Sequence, residues 1–492
     1  MTAPPAPAAP TRNSWLTLVA MTGSLSMIML DQTVVTVALP TMTRDLPLSP
    51  TGQQWVVNAY VLAMAATVAL GGKLGAEYGP VTTFRAGVVI FFVASAMCGL
   101  APHGSNGEEW IIISRATQGL GAALMMPVSA TIVMAAFPLS VRGKAMAVYV
   151  GISQIFLAVG PLLGGALTEW VSWRAVFWLN VPVGIIALLL VARARPDNTT
   201  QPSSAIKPVP VALMIVGLGL SVYAIQQAGS WGWGSSKTLG LLAAGIVITV
   251  LFVWSQLRTS DPLVQVKLFA RRAFLGNVTV LFATQFSLLA IVLYSTLYVQ
   301  DLLGYSPIMA GVAALPLILP LAVGAQLAGR WYDKQGVRPP VIIGMAVATV
   351  GVIVWAITLS QLEYVVQIPG MVITGFGLGL VFSPVNTDAL GRVRAAERAQ
   401  ASGIVQTVRQ LGGTLGVAVV GAIVLAQQEA GTQAAHSSRD PKQEIIDQSA
   451  DAIATGFYVA AAVFAVGLAA SCFLLAKDRV TEDPDAVPAE VF

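Results

Sequence analysis

Long apolar stretches alternate with short polar segments along nearly the whole chain. A helix needs about 20 largely apolar residues to cross a bilayer. A membrane barrel would instead alternate apolar and polar residues over short segments. The pattern therefore predicts fourteen membrane-spanning helices, at residues 14–39, 54–72, 84–101, 110–137, 145–167, 175–192, 210–228, 238–256, 273–300, 308–329, 340–360, 367–388, 401–427 and 453–476.

Composition removes the main alternatives to a membrane protein. Of the 492 residues, 56% are apolar and only 10% are Asp, Glu, Lys or Arg, whereas about 25% of a soluble domain is charged. A soluble enzyme and a disordered protein are thereby excluded. A formal charge of +4 without a basic stripe also excludes a nucleic-acid binder. Cys98 and Cys472 have no disulfide or metal spacing, and His103 and His436 are too few and too far apart for a metal site.

The distribution of basic residues predicts the orientation. If the N-terminus is cytoplasmic, 20 of the 27 Lys and Arg residues fall on the inner side and 5 in outer loops. This excess predicts that both termini are cytoplasmic. Residues 1–13 are predicted to be a disordered cytoplasmic tail and residues 477–492 a second cytoplasmic tail. The polar outer loop 428–452 is either an amphipathic cap or an inert linker, and the linker is favoured.

The chain also aligns with itself. GKLGAEYGPV from Gly72 matches GRWYDKQGVR from Gly329 at an offset of 257 residues, and two Ser-Pro pairs share that offset. VRGKAMAVYVGISQ from Val141 matches VRAAERAQASGIVQ from Val393 at an offset of 252. Shared Gly and Ala content is the alternative explanation, but the coincident Arg, Gln and Ser-Pro positions favour a true repeat.

The repeat predicts two six-helix bundles, at 14–192 and 273–476, joined by a segment 193–272 that carries two extra transmembrane helices. A parallel repeat of six-helix halves is the architecture of the major facilitator superfamily. In that architecture the substrate site lies near the midplane between the halves. The predicted fold class is therefore an all-α polytopic membrane protein with the major facilitator fold.

Five motifs in order resemble the 14-helix drug:proton antiporter branch of that superfamily, over about residues 14–476. They are LDQTVVTVALP from Leu30, RATQGLGAALMMP from Arg115, GPLLGG from Gly160, WRAVFWLNVPVG from Trp173 and ASGIVQTVRQLGG from Ala401.

The resemblance implies a multidrug efflux antiporter of the bacterial cytoplasmic membrane, which exchanges protons for lipophilic drugs or toxic compounds, cations among them. It implies alternating access, no enzyme activity, no cofactor, a monomer, and the proton gradient as the energy source. The absence of a Gly-rich Lys-Ser/Thr nucleotide motif agrees with a gradient-driven process. Two alternatives stay open. One keeps the fold but exports a lipid, siderophore or endogenous antibiotic, and the other is a non-transporting membrane sensor.

Two charged residues are candidates for proton coupling. Asp31 is a carboxylate deep in the first span, where a charge costs about 2.5–3.5 kcal/mol, and such residues are usually functional. The equivalent position of the second half is Leu288, so the repeat does not require it. Asp31 is either the proton carrier or a fixed hydrogen-bonded group. Arg115 is either its counter-charge or a cap near the membrane surface.

The candidate gating residues form three groups. Gly160, Pro161, Gly164 and Gly165 allow close helix packing, and the resemblance implies a seal between the halves. In the family, an Asp in the loop between helices 2 and 3 belongs to a latch on the cytoplasmic face, and that position is Ala76 here. Either Glu77 substitutes for the missing carboxylate or the latch of the first half is weak. The equivalent loop of the second half keeps its charged residues. Arg409 is either functional or snorkels to the surface. The charged members of this set are Glu77, Asp333, Arg338, Arg142 and Arg409.

The predicted substrate path is polar and aromatic, because aromatic faces can bind lipophilic cations. Any one such side chain more often faces lipid or a neighbouring helix. The candidates are Asn58, Tyr60, Gln118, Gln154, Gln285, Tyr294, Phe376 and Asn386. Asp388 is interpreted only as an end-of-helix residue.

Overall fold

A computed structural model describes residues 11–104, 106–200, 208–259, 262–393, 398–435 and 441–478. Most of the two predicted tails lies outside these residues. The described residues form helices and short connections, without strands among them. The helices are α1 (Arg12–Asp45), α2 (Pro50–Tyr78), α3 (Pro80–Gly99), α4 (Gly107–Ala136), α5 (Leu139–Trp170), α6 (Trp173–Trp178), α7 (Asn180–Ala194), α8 (Pro208–Trp231), α9 (Ser236–Leu257), α10 (Arg272–Leu297), α11 (Pro307–Ala313), α12 (Leu315–Gln335), α13 (Arg338–Leu359), α14 (Tyr364–Gly391), α15 (Arg398–Ala435) and α16 (Pro441–Phe473).

Fewer than the predicted fourteen helices qualify as membrane spans by length and composition in the part of the chain that the structure describes. Within the described residues, 12 helices are long and apolar enough to cross a membrane, or 13 if the two arms of the bent helix α2 form one span. The predicted span at 145–167, which lies in α5, accounts for the difference from fourteen. That span therefore stays a prediction.

Three predicted segments have a different local structure. The span 175–192 is two helices, α6 and α7, separated at Leu179. The span 308–329 is also divided, into α11 and α12, because Pro316 has no backbone N–H with which to continue α11. The favoured linker at 428–452 is wrong for its described part, since α15 continues to Ala435 and α16 begins at Pro441.

The two halves have the same helix caps and terminal glycines at equivalent positions. Ser49 caps α2 by accepting a hydrogen bond from the backbone of Gly52, and Ser306 caps α11 in the same way. Each cap is followed by a proline, whose fixed φ suits the first turn of a helix. Gly79 and Gly336 end the paired helices with φ of 92° and 78°, a conformation that glycine adopts without steric cost.

Burial separates the central helices from the peripheral ones. The apolar window of α1 is 83% buried and that of α10 is 72% buried, whereas the windows of α8 and α9 are only 22% and 17% buried. Helix α8 packs against α2 of the first half and α15 of the second, and Tyr223 lies 6.0 Å from Trp55 between ring centroids. The inserted pair α8–α9 therefore lies at the outside of the bundle, where α8 bridges the two halves.

The halves meet closely where α5 crosses α11. We call the end of the bundle at which α1 begins and α16 ends the termini side, and the opposite end the far side. A Cβ atom on Gly165 would lie 2.3 Å from the carbonyl oxygen of Pro307, and one on Gly311 would lie 2.4 Å from that of Pro161. On the far side, Gln300 also donates to the carbonyl of Val37 at 2.8 Å. Small residues thus bring the two backbones into contact, as the sequence predicts.

We predict that Gly165→Ala destabilises the protein by about 1–3 kcal/mol, because the added methyl group meets backbone that cannot rotate away. Gly219→Ala is the matched control, since a Cβ on Gly219 meets nothing within 4 Å. Alanine in a helix interior is favourable by about 0.5–1 kcal/mol relative to glycine, so the control should be neutral or stabilising. Thermal unfolding of the purified variants measures both effects, and equal melting temperatures would contradict the close packing.

Candidate functional site

A buried ion pair lies at the centre of the first half. Arg115 of α4 donates through Nη1 to Oδ2 of Asp31 of α1 at 2.6 Å. Both residues are 1% exposed. Arg115 lies eight residues past the first residue of α4, Gly107, so it is not a cap at the membrane surface. The structure therefore brings together the two residues that the sequence singles out for proton coupling.

Two further polar side chains contact Asp31, and a third, Ser95, links them to each other. Gln118 donates to Oδ1 of Asp31 at 2.9 Å and to Ser95 at 3.2 Å. Asn180 donates to Ser95 at 2.9 Å and approaches Oδ1 of Asp31 at 3.4 Å. Ser95 in turn donates to the carbonyl of Phe177 at 2.9 Å. The network joins α1, α3, α4 and the α6–α7 junction, and Gln118, a predicted substrate-path residue, belongs to it.

Arg115 has partners besides the carboxylate. Its Nε donates to the carbonyl of Val56 at 2.9 Å, and Nη1 also reaches Oε1 of Gln118 at 2.6 Å. The guanidinium carbon lies 4.3 Å from the ring centroid of Tyr60, a cation–π geometry. The guanidinium is therefore held by two oxygen acceptors and an aromatic ring in addition to the carboxylate.

A hydrogen bond holds the GPLLGG segment of α5 against α1. Pro161 has no backbone N–H, so the carbonyl of Leu157, four residues earlier, loses its helical partner. The hydroxyl of Thr33 donates to that carbonyl at 3.1 Å. A Cβ on Gly160 would lie 1.9 Å from the same hydroxyl oxygen. Residue 160 must therefore be glycine to leave room for the hydroxyl of Thr33. Helix α5 packs against both α1 and α11.

Four of the predicted cavity residues are buried between helices. Asn58 is fully buried, and neither atom of its amide has a hydrogen-bond partner in the described structure. The hydroxyl of Tyr60 and Oε1 of Gln285 are also buried without a described partner. The hydroxyl of Tyr294 lies 2.5 Å from the position of a Cβ on Gly421 of α15. Buried polar atoms ordinarily have partners, so the groups of Asn58, Tyr60 and Gln285 that lack one among the described atoms stay candidates for a ligand.

The remaining cavity candidates receive less support. Asn386 donates to the carbonyl of Phe382 in its own helix at 2.8 Å. Phe376 lies in α14, where its carbonyl would be 2.6 Å from a Cβ on Gly324. The side chain of Gln154 lies outside the described part of the structure.

The predicted gating charges are dispersed. Oε2 of Glu77 is buried and has no partner among the described atoms, so its role as a substitute carboxylate stays a prediction. Arg338 donates to the carbonyl of Cys472 and thereby caps α16. Arg409 donates to Gln406 at 3.1 Å. The side chains of Asp333 and Arg142 lie outside the described residues.

Sequence reasoning missed a second buried carboxylate. Asp388 stands at the end of α14, as predicted, but it is only 1% exposed. It accepts hydrogen bonds from Asn277 and Arg392, each at 2.8 Å. Arg392 also contacts Asp478 at 3.0 Å. Partial burial is the largest single effect and raises the pKa of Asp478, but the hydrogen bond and the charge of Arg392, together with a backbone hydrogen bond, outweigh it, so the pKa is lowered. The four-residue spacing of Asp388 and Arg392 was the sequence signal for this ion pair, because residues four apart are neighbours on a helix.

The described residues contain no group of three or more His, Cys, Asp or Glu side chains that could hold a metal ion. The functional geometry therefore consists of hydrogen bonds, one deep ion pair and close helix contacts.

Comparison with known families and sequences gives a consistent result. Residues 21–417 match the family model described as Major Facilitator Superfamily. The chain is 31% identical over 449 residues to the multidrug resistance protein Stp of Mycobacterium tuberculosis, covering 89% of this chain and 82% of that protein. It is 34% identical over 423 residues to the puromycin resistance protein pur8 of Streptomyces alboniger, covering 84% and 82%. It is 32% identical over 418 residues to the tetracenomycin C resistance and export protein of Streptomyces glaucescens, covering 83% and 76%.

Solved structures with the same fold include transporters. A bacterial homolog of the human lysosomal transporter Spinster, inward-facing and unoccupied, aligns with a TM-score of 0.64 at 18% identity, over 96% of this chain and 100% of that one. A D-xylose–proton symporter aligns with a TM-score of 0.61 at 17% identity, over 94% and 97%. At these identities the likeness concerns the fold alone.

We predict that Asp31 and Arg115 depend on each other for stability. Removing one partner of a buried ion pair leaves an uncompensated charge, which costs about 3–5 kcal/mol. Asp31→Asn and Arg115→Gln should each lower the melting temperature, and the double variant should lose less than the sum of the two. The control cycle uses Asp45 and Arg174, an ion pair whose side chains are 33% and 23% exposed, where the coupling should be about 0–1 kcal/mol. Additive losses at Asp31 and Arg115 would contradict the pairing.

Proposed function

Because the chain belongs to the Major Facilitator Superfamily, we propose that it exports small lipophilic molecules in exchange for protons, by alternating access. A multi-pass membrane transporter, and not an enzyme, is what the family match and the relatives establish. The names of the relatives, which describe multidrug resistance, puromycin resistance and tetracenomycin C export, support an outward direction of transport. The single observation that carries proton coupling is the buried pair of Asp31 and Arg115.

Asp31 is the proton carrier in this proposal. When the carboxylate is charged, Arg115, Gln118 and Asn180 hold it. When it is protonated, Arg115 retains Val56 and Gln118 as acceptors. A change of one pKa unit corresponds to about 1.36 kcal/mol, and 100 mV supplies about 2.3 kcal/mol per proton. A modest change in the surroundings of Asp31 between the two states of the transporter is therefore enough to load and release a proton.

The contact between α5 and α11 is the proposed seal. The small residues of GPLLGG allow the two halves to touch on the far side, and separation of Gly165 from Pro307 would open it. On the charge pattern, the termini side is the cytoplasmic side of a bacterial inner membrane. The protein works as a monomer among membrane lipids, without a cofactor, and draws its energy from the proton gradient.

An endogenous antibiotic is the second candidate cargo. The likeness to a tetracenomycin C resistance and export protein favours it specifically. A lipid or siderophore cargo, or a sensor without transport, has no such support.

The test is uphill efflux from cells of an efflux-deficient host, measured with fluorescent dyes and drugs with and without a proton uncoupler. Wild type should extrude, and the uncoupler should stop extrusion. Asp31→Asn should abolish uphill efflux at normal expression, because the carrier can no longer release a proton. Asp45→Asn, at the far end of the same helix, should retain it. Uncoupler-sensitive uphill efflux by the Asp31→Asn variant would refute the role of this carboxylate.

A further inference from the structure

Arg409 is a half-buried cation that has no counter-charge among the residues that the structure describes. It lies in α15, eight residues past Ala401, where the apolar window of that helix begins, or about 12 Å along the axis. No carboxylate among the described residues lies within ion-pair distance of it, and its Nε is buried without a hydrogen-bond partner there. Only Nη1 has a described acceptor, Oε1 of Gln406 at 3.1 Å. Arg115, at comparable depth in the first half, has all the partners that Arg409 lacks.

The surroundings of Arg409 belong to the space between the halves and not to the lipid face. The guanidinium carbon lies 5.4 Å from the ring centroid of Phe382 in α14. Gln406, its hydrogen-bond partner, reaches the sulfur of Met126 in α4 of the other half at 3.1 Å. One turn beyond Arg409, Gly413 packs against α10, where a Cβ would lie 3.4 Å from Cγ of Gln285. Residues four apart share a helix face, so Arg409 lies where α4, α10, α14 and α15 come together between the halves, a site that we call the chamber.

A second polar atom of this chamber also lacks a partner. Gln285 is 6% exposed, and its Oε1 accepts no hydrogen bond from the described residues. Leaving a buried polar group unsatisfied costs about 1–3 kcal/mol, and more for a charged one. The arginine requires an acceptor, preferably an anionic oxygen, which it binds through charge-assisted hydrogen bonds. The ring of Phe382 and the side chain of Met126 offer apolar contact beside it.

We propose that this chamber binds amphipathic organic anions, with Arg409 as the group that recognises the acidic head and Phe382 beside the apolar body. This assignment rests on the proposed export function and narrows its cargo toward carboxylates and phenolates. A lipophilic cation is disfavoured in this chamber, because it would meet an unpaired guanidinium. Asp31 in the first half does not neutralise such a cation, because its carboxylate is already held by Arg115, Gln118 and Asn180.

Equilibrium binding tests the assignment without any proton gradient. The probes are 1-pyrenebutyrate, 1-pyrenebutanol and 1-pyrenebutylamine, which share one apolar body and differ in the charge of the head. Energy transfer from tryptophan to pyrene reports binding to the full chain in phosphatidylcholine nanodiscs, with empty discs subtracted. Wild type should bind the carboxylate about 10- to 100-fold more tightly than the alcohol, the range expected for a charge-assisted hydrogen bond. The amine should bind most weakly.

Variants identify the residue responsible. Arg409→Gln should abolish the preference for the carboxylate while the affinity for the alcohol stays the same, and Arg409→Lys should retain part of the preference. Arg258→Gln is the matched control, because that arginine stacks on Trp254 at 4.2 Å at the exposed end of α9. Asp31→Asn should keep the preference even though its uphill efflux is lost, so failure of proton coupling and failure of this assignment are distinguishable.

Three results would overturn the assignment. The first is equal affinity of wild type for the three heads, which needs no variant and so does not depend on how any variant folds. The second is a carboxylate preference that survives in Arg409→Gln. The third is loss of 1-pyrenebutyrate binding when phosphatidylglycerol replaces part of the phosphatidylcholine, because the anionic head in the chamber would then belong to a lipid and not to cargo.

Discussion

Each polar group in the apolar interior of this helix bundle needs a partner within the protein, because lipid supplies none. The pair formed by Asp31 and Arg115 satisfies that requirement most completely. Its three hydrogen-bonding neighbours, Val56, Gln118 and Asn180, come from three different helices, so the first half is organised around one charge pair. A buried ion pair is weak evidence for stability, since hydrophobic replacements can be as stable. Its retention at this depth is better explained by a function that needs a titratable group.

The same requirement explains the contact between α5 and α1. A proline within a helix leaves a carbonyl without a donor, and Thr33 supplies that donor to Leu157. The glycine beside it removes the side chain that would collide with the threonine. The close approach of α5 to α1 and the hydrogen bond that replaces the lost donor are therefore consequences of one arrangement. That arrangement places GPLLGG where it also touches the second half.

The two halves share their helix caps and glycine turns but differ in their charges. The first half holds a neutralised pair, whereas Arg409 in the second half has no counter-charge among the described residues. Asp388 in turn is held by Asn277 and Arg392 near the termini side. Such differences cannot follow from the repeated architecture, because Leu288 and Leu157 occupy the positions related to Asp31 and Arg409. In the proposed mechanism, Asp31 carries the proton and Arg409 binds the cargo.

Much of this protein is determined by sequence alone. Hydropathy and charge predict an all-helical membrane protein, the repeat predicts two bundles, and the depth of Asp31 distinguishes it from surface carboxylates. These properties are local, since helix formation and insertion depend on the composition of each segment. The break at Leu179 and the helical course of residues 428–435 escaped prediction, because short polar or proline-containing segments are ambiguous in one dimension.

The tertiary structure alone decided which polar groups meet. Asn180 and Ser95 belong to the hydrogen-bond network of Asp31, and Thr33 donates a hydrogen bond to the carbonyl of Leu157. The side chain of Asp388 is buried. Sequence places each of these residues on a helix, but their contacts depend on the rotation and tilt of that helix. Rotation and tilt are set by packing against neighbouring helices, not by the segment itself. The composition therefore determines that the chain crosses a membrane, and the packing determines which buried polar groups have partners and which do not.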